Sequence, residues 1–118
     1  MTPFGARLRA LREERGITLS GLAAALQVSA AYLSALEHGR RGLPSAGLIQ
    51  QVNEYFGLWD DELTRLARIS HPRVVLDTAG LSPEATEMAN RLALRIRSLS
   101  AAQIAALRAV MEEEGREG

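Results

Sequence analysis

Arginine supplies all the basic chemistry of this sequence, since all fourteen basic residues are arginine and none is lysine, which we interpret mainly as a compositional bias. Arg40 and Arg41 directly follow the stretch "SAAYLSALEHG", which carries the hydroxyl groups of Ser29, Tyr32 and Ser34. A guanidinium binds phosphate through charge-assisted hydrogen bonds, and a hydroxyl can both donate and accept at the polar edge of a ligand. This combination favours a surface that binds nucleic acid.

The charge distribution supports that interpretation, although the net charge of the chain is zero. Residues 1–41 contain six arginines against three glutamates, a net charge of +3. Residues 42–70 contain two arginines against four acidic residues, a net charge of −2. Positive charge therefore collects in the N-terminal part, where a surface that faces DNA phosphates needs it.

Enzymatic and metal chemistry find little support in the composition. The chain has no cysteine, and its two histidines, His38 and His71, lie far apart in sequence. Neither a pair of catalytic carboxylates nor a glycine-rich phosphate loop is recognisable. We therefore expect no enzyme and no bound metal or cofactor, and no small-molecule ligand is evident.

The N-terminal stretch and the lengths of the apolar runs bear on location. "MTPFGARLRALREERG" is charged throughout, and no apolar run approaches the length of a membrane span. We expect no signal peptide, no membrane contact and a cytoplasmic location, which the lack of cysteine fits.

Helices must position these polar residues, because the apolar content is mostly alanine and leucine at helical spacing. The predicted fold class is all-α. The first three predicted helices span 3–15, 19–26 and 30–38, behind Thr2, Thr18 and Ser29 as capping residues. A fourth helix follows Ser45, with Leu48, Val52, Tyr55 and Phe56 predicted to point inward.

The residue pattern is no longer helical after a predicted fifth helix that starts near Asp60. Residues 69–83 contain the β-branched run Val74-Val75-Leu76, which predicts an extended connector or short strand that packs on another surface. Ser82 and Pro83 then begin a helix, and Ser100 with Gln103 forms a capping box for the last one. The charged tail "EEEGREG" is predicted to fray.

The most informative unit is the pair of predicted helices joined by a short turn, "TLSGLAAALQVSAAYLSALEHG". Ala23 is small enough to let the two helices meet closely, and Val28 with Leu33 fills the angle between them. Glu37 is predicted to pair with an arginine and close the domain. Ser29 caps the second helix and leaves its first turn pointing outward.

Residues 4–69 resemble a known family through several motifs taken together. These are the "L-x-x-L-R" start, Leu-Ala in the second helix, Val-Ser before the third and "Leu-Glu-x-Gly-Arg" after it. The set is similar to the Cro/C1-type (XRE, lambda-repressor-like) helix-turn-helix regulators. The resemblance implies a five-helix DNA-binding domain over residues 1–69 that binds pseudo-palindromic sites in double-stranded DNA as a homodimer.

Two positions depart from the pattern of that family. Leu19 stands where many members have a polar residue that helps to grip a phosphate. Gln27 stands where many have glycine, at a cost of about 1 kcal/mol if the turn keeps a left-handed backbone.

The resemblance also implies which residues meet DNA. The groove-facing set is Ser29, Ala30, Ala31, Tyr32, Ser34, Ala35 and His38, with Arg40, Arg41, Thr18 and Arg12 around it. The alanines can contact thymine methyl groups, while Ser29, Ser34 and Tyr32 offer hydrogen bonds. Phosphate contacts and DNA shape should then outweigh hydrogen-bonded base readout. Arg7 and Arg9 are alternative phosphate contacts, or they form a solvated helix face.

Residues 70–118 are predicted to form the connector and a helical hairpin that pairs with a second copy. The predicted dimerisation residues are Leu76, Met88, Leu92, Ile96, Ile104, Leu107 and Met111. Two short amphipathic helices cannot bury their apolar stripes alone. Packing of the hairpin onto the N-terminal domain is the alternative.

These expectations describe a transcriptional regulator. A repressor is favoured over an activator because occluding a promoter requires no additional surface. The alternative function is an antitoxin-like or other protein-interaction module that binds DNA secondarily.

Overall fold

The computed structural model describes residues 1–40 and 42–117, with side chains as far as Glu112 in the last helix. Within these residues the secondary structure is helical and contains no strand, which confirms the predicted all-α class. The helices are α1 (Pro3–Glu14), α2 (Leu19–Leu26), α3 (Ala30–Glu37), α4 (Ala46–Phe56), α5 (Glu62–Arg68), α6 (Pro83–Arg95) and α7 (Ala101–Glu117), with a 3-10 turn at Ile96–Ser98. The chain forms two compact units, Met1–Val74 and a second that begins at Val75.

Hydroxyl side chains start most of these helices, as predicted. In each case an oxygen accepts the backbone N–H three residues later, which satisfies a group that the helix leaves unpaired. The capping residues are Thr2, Thr18, Ser29, Ser45 and Ser82. At α7 the predicted capping box forms: Ser100 N–H donates to Gln103 Oε1 (2.9 Å), and Gln103 N–H donates to Ser100 Oγ (3.1 Å).

The first unit has one apolar core to which all five of its helices contribute. The buried side chains are Phe4, Leu8, Leu11, Leu22, Ala23, Leu26, Leu33, Leu36, Leu48, Ile49, Val52, Phe56, Leu63 and Ala67. The predicted inward position of Tyr55 is wrong, because Tyr55 is exposed and Ile49 is buried instead. Tyr55 rests with its ring edge-on to Phe56, and their centroids lie 5.0 Å apart.

A close approach between α1 and α3 holds the N-terminus of the first unit. Gly5 lies so near the end of α3 that a Cβ there would overlap the carbonyl oxygen of Glu37. Thr2 N–H donates to that same oxygen (3.3 Å). Phe4 N–H donates to the buried Oγ of Ser70 (2.9 Å), which joins α1 to the residues after α5. Nothing in the spacing of the sequence indicates this role for Ser70.

The second unit has almost no interior of its own. Among its residues with described burial, Ala89 is the one buried hydrophobic side chain, and Leu92 and Leu99 are half-buried. The connector contains no strand, and Val75 is 90% exposed within the single chain, so packing of the connector on another surface stays a prediction. The tail predicted to fray continues α7 as far as Glu117.

No single helix among residues 1–40 and 42–117 is both long and apolar enough to cross a membrane. The α2–α3 pair reaches that composition only when the two helices are taken together, across a bend of 110°.

Candidate nucleic-acid interface

The helix-turn-helix is built from α2, the turn at residues 27–29, and α3. Gln27 adopts the left-handed conformation (φ 60°, ψ 40°) that ends α2, and Val28 N–H donates back to the carbonyl of Ala23 (3.0 Å). Ala23 is buried, Leu33 is fully buried, and Val28 packs against the core. The structure thus has the small contact residue and the angle-filling side chains that the sequence predicts. The left-handed turn without glycine is also present.

The outward side of α3 carries the residues predicted to enter the DNA groove. Leu33, Leu36 and Glu37 face the interior. The predicted set of Ser29, Ala30, Ala31, Tyr32, Ser34, Ala35 and His38 is half-buried or exposed, as is Thr18 at the start of α2. This arrangement leaves the outer face of α3 available to a ligand. Contact of these residues with DNA stays a prediction.

Two polar groups on that face have defined hydrogen bonds. Ser29 Oγ accepts the N–H of Tyr32 (3.0 Å), so this hydroxyl serves the helix start and keeps its own hydrogen for another acceptor. His38 Nδ1 lies 2.9 Å from the carbonyl oxygen of Ser34. Because a carbonyl oxygen only accepts, this hydrogen bond requires the proton on Nδ1.

Arg12 lies in a buried ion pair instead of at the surface. Its Nε and Nη2 donate to the two carboxylate oxygens of Glu37 (3.0 and 3.3 Å), and Nη1 donates to the carbonyl of Ile17 (3.2 Å). The side chains are 12% and 3% exposed. This confirms the predicted pairing of Glu37 with an arginine. It also uses the donors that the sequence-based prediction assigns to DNA, so we omit Arg12 from the candidate interface.

The other arginines of α1 have partners within the first unit as well. Arg7 Nε pairs with Glu62 (2.7 Å) and Arg9 Nε with Glu13 (2.9 Å). Arg40, after α3, is exposed, and no ion pair to it occurs within the described residues. Arg41, which was predicted to bind phosphate, lies outside the described residues. The candidate cation at this surface is therefore Arg40.

A hollow of about 580 Å³ lies beside α3 and extends the interface to α4. We call it the α3–α4 hollow. Its lining residues are Val28, Ser29, Tyr32, Ser45, Gly47, Leu48 and Gln51. The N-termini of both helices meet here, and N-terminal N–H groups and helix dipoles favour an anion. The contribution of α4 was not predicted from the sequence, although Ser45 as a cap was a usable signal.

The predicted dimerisation residues all belong to the second unit, where most are exposed. Leu76, Met88, Ile96, Ile104, Leu107 and Met111 are between 40% and 61% exposed, and Leu92 is half-buried. Several of them line an apolar groove of about 390 Å³ between α6 and α7, with Arg91 and Arg95 at its edge. Their role in dimerisation stays a prediction.

Metal ligands are not assembled in the described part of the chain. Within residues 1–40 and 42–117, no group of three or more histidine, cysteine, aspartate or glutamate side chains could hold a metal ion.

A family model described as a helix-turn-helix domain matches residues 3–67, more than half of the chain. The chain belongs to the helix-turn-helix domain family. The matched residues contain α1–α4 and most of α5, and all fourteen buried core residues of the first unit lie within them.

Curated relatives of the helix-turn-helix chain have names that agree with this assignment. The HTH-type transcriptional repressor RghR of Bacillus subtilis is 48% identical over 54 residues, which cover 46% of this chain and 40% of RghR. The uncharacterized HTH-type transcriptional regulator YazB of the same species is 42% identical over 60 residues, 51% of this chain and 86% of YazB. The HTH-type transcriptional regulator DdrOP3 of Deinococcus deserti is 46% identical over 52 residues, 44% of this chain and 40% of DdrOP3. No solved structure gives a significant match.

Proposed function

We propose that the chain is a cytoplasmic transcriptional regulator that binds a pseudo-palindromic operator in double-stranded DNA as a homodimer. One α3 helix from each copy enters a major groove. The observation that carries this proposal is the outer side of α3, where Ser29, Ala31 and His38 are exposed and which Arg40 and the α3–α4 hollow flank. The similarity to proteins named as HTH-type transcriptional regulators supports it independently.

In the proposed complex, α3 recognises the base sequence by fitting closely into the major groove, and it forms few hydrogen bonds to bases. Ala31 and Ala35 contact thymine methyl groups and let the helix backbone approach the bases. Ser34 supplies hydrogen-bonded readout near the middle of the helix. Arg40 and Arg41 bind phosphates, so affinity depends strongly on salt and on groove shape.

The α3–α4 hollow adds an anchor on the DNA backbone. A phosphate at this position receives the N-terminal dipoles of α3 and α4, and the capping residues Ser29 and Ser45 line the same space. Such a contact fixes how far α3 enters the groove without reading a base.

The homodimer forms through the second unit. Its described residues bury one hydrophobic side chain while Ile104, Leu107, Val110 and Met111 of α7 are at least 40% exposed. A hairpin with so little interior gains stability by pairing its apolar stripe with that of a second copy. Two-fold symmetry then presents the two α3 helices to successive major grooves about 34 Å apart.

The bound dimer acts as a repressor by occupying the promoter. Occlusion of polymerase requires DNA binding alone, and the relative RghR is named a repressor.

Selection of binding sites from random duplex DNA, followed by footprinting of the strongest site, tests this proposal. We expect a two-fold motif whose half-sites lie about one helical turn apart. Binding that is salt-sensitive but blind to sequence would contradict a specific regulator.

Two variants separate the proposed roles of individual residues. Arg40→Ala should weaken binding to all sequences alike and make the salt dependence shallower by about one ion. Ser34→Ala should change the preference at one base position in each half-site. An unchanged selected motif for Ser34→Ala would remove that residue from base readout.

A further inference from the structure

Trp59 is the most exposed large hydrophobic side chain among the described residues, at 97% exposure. It lies in the loop between α4 and α5, and it is the only tryptophan of the sequence. Tryptophan is the side chain most enriched at the energetic centres of protein interfaces, because it brings a large apolar surface and a π face. Here the chain leaves it in water beside a hollow.

That hollow, which we call the α4–α5 hollow, has a volume of about 320 Å³. Its lining residues are Gln50, Asn53, Glu54, Gly57, Leu58 and Trp59. It adjoins the C-terminal end of α4, whereas the α3–α4 hollow adjoins the N-terminal end. The two hollows have no lining residue in common, although the neighbouring residues Gln50 and Gln51 line one each.

The groups around the α4–α5 hollow share a preference for a cation that donates hydrogen bonds. Glu54 is exposed, and its carboxylate accepts a hydrogen bond from the neutral amide of Gln50 (3.3 Å). Asp60, also exposed, follows Trp59 directly. The C-terminal end of α4 carries the negative end of the helix dipole, which favours a positive ligand.

Asn53 adds an acceptor that lacks a partner. Its Oδ1 is shielded from solvent, and no donor within the described residues bonds to it. A buried carbonyl oxygen without a donor costs free energy, which an N–H group that reaches it from the hollow would recover.

The same end of α4 already binds one guanidinium from within the chain. Arg15 Nη2 donates to the carbonyl of Phe56 (2.6 Å), and the Arg15 Cζ lies 5.1 Å from the centre of the Phe56 ring. A carbonyl at the helix end and an aromatic face thus bind an arginine a few residues from the hollow. Around the hollow, the comparable groups are the side-chain carbonyl of Asn53 and the indole of Trp59. Glu54 adds a carboxylate.

We propose that the α4–α5 hollow is a docking site for an exposed arginine of a second protein. The planar guanidinium stacks on Trp59 and donates to Glu54 and Asn53, as arginine but not lysine can do with its fixed fork of donors. An apolar neighbour of that arginine covers the remainder of the indole. The occupant follows from charge complementarity, because the carboxylates of Glu54 and Asp60 lie beside an exposed aromatic ring. The site extends the proposed regulator with a contact to another protein.

Selection of peptides from a random library tests this docking site. The full-length chain is used to select from displayed dodecapeptides of random sequence, and selected peptides are synthesised and titrated while the fluorescence of Trp59 is followed. We expect peptides with arginine next to an apolar residue, a shift of the emission on binding, and at least tenfold weaker binding when that arginine is replaced by lysine.

Variants of the chain provide the controls. Trp59→Ala should weaken peptide binding at least tenfold, and Glu54→Gln should weaken it several-fold. Tyr55→Ala should leave peptide binding unchanged, because Tyr55 is an exposed aromatic residue of α4 that does not line the hollow. Selected peptides that lack arginine, or that bind Trp59→Ala as well as the unchanged chain, would overturn the proposal. Self-association that depends on Trp59 in sedimentation would assign the site to a second copy and overturn it too.

Binding of the Trp59→Ala variant to the selected DNA motif distinguishes a failure of the docking site from a failure of the proposed function. Trp59→Ala should bind the same operator with unchanged affinity. Loss of peptide binding with DNA binding intact supports a separate docking site, whereas loss of both would show that Trp59 belongs to the DNA-binding machinery and contradict the inference alone.

Discussion

Glu37 shows how one side chain can connect the fold to the proposed readout. It belongs to α3, yet its carboxylate is buried and bonded to Arg12 of α1. The pair therefore fixes the last turn of α3 against α1 while the opposite side of the same helix stays open. Removing one partner would leave the other charged group buried without compensation, which is costly.

We expect Glu37→Gln to lower the free energy of unfolding by about 3 kcal/mol, since Arg12 then loses its counter-charge. Urea denaturation followed by circular dichroism measures the change. Glu13→Gln is the matched control, because the Arg9–Glu13 pair is more than half exposed and should contribute no more than about 0.5 kcal/mol. Equal effects of the two substitutions would show that the Glu37 pair does not stabilise the fold.

Gln27 is the second residue with a specific energetic consequence, as the one non-glycine residue with positive φ within the described chain. Gln27→Gly should raise the free energy of unfolding by about 0.5–1 kcal/mol, because glycine adopts this conformation without steric cost. Thermal melts of Gln27→Gly and of Gln27→Ala test this, and the alanine control should stay within about 0.5 kcal/mol of the original chain. A lower melting temperature for the glycine variant would contradict the expectation.

Individual roles of the arginines were the hardest to predict from the sequence. Arg7, Arg9 and Arg12 share α1, Arg15 follows its last residue, and the four are chemically identical, so spacing alone gave no basis for choosing the partner of Glu37. That choice depends on how α1 is rotated against α3. The pairing of Glu37 itself was predictable, because a carboxylate at the end of an otherwise apolar helix face requires a partner.

At the scale of elements, the contact between α1 and α3 depends on the absence of a side chain at Gly5. The carbonyl of Glu37 occupies the space where a Cβ would be, and Thr2 N–H donates to the same oxygen. The two helices can approach this closely only because α1 has glycine at its third position.

Gly5→Ala should therefore destabilise the chain by about 2 kcal/mol or more, because the backbone of α3 must shift to admit the methyl group. Gly47→Ala is the control. Near the start of α4, a Cβ at Gly47 would meet nothing closer than the Ser45 Oγ at 3.9 Å, and alanine is the better helix former. We expect the control to gain up to about 0.5 kcal/mol by chemical denaturation. A neutral Gly5→Ala would mean that α1 can move away from α3 at no cost.

Helix positions were largely predictable because the start signals are local. A threonine or serine caps its own helix through atoms three residues away, so the signal does not depend on tertiary structure. The inward face of α4 was less predictable, since Ile49 and Tyr55 are both apolar and the packing of α4 on the core decides which is buried. The Ser70 bond to α1 joins residues 66 positions apart and has no local signal.

At the scale of the whole molecule, the two units differ in how far each can be stable alone. The first unit has a shared core of fourteen buried side chains, whereas the described residues of the second bury Ala89. The second unit should therefore gain most of its stability from the proposed pairing with another copy.

Leu107→Glu should shift the chain from dimer to monomer in analytical ultracentrifugation, because it puts a charge into the apolar stripe of α7. Operator affinity should fall at least tenfold, since each half-site is then bound separately. Ala109→Glu is the control, as residue 109 lies on the opposite side of α7 by helical periodicity. A monomeric chain before any substitution, or a Leu107→Glu variant that stays dimeric, would contradict pairing through this stripe.

The small side chains on the outer face of α3 have a consequence for how such a regulator could diverge. Ala31 is exposed and takes no part in the core, so a longer polar side chain there can be accepted without loss of folding. A single codon change could then give a new target preference, with no compensating change in the interior. Duplicated copies of the gene could acquire separate regulons by this route, and an engineer could retarget the protein in the same way.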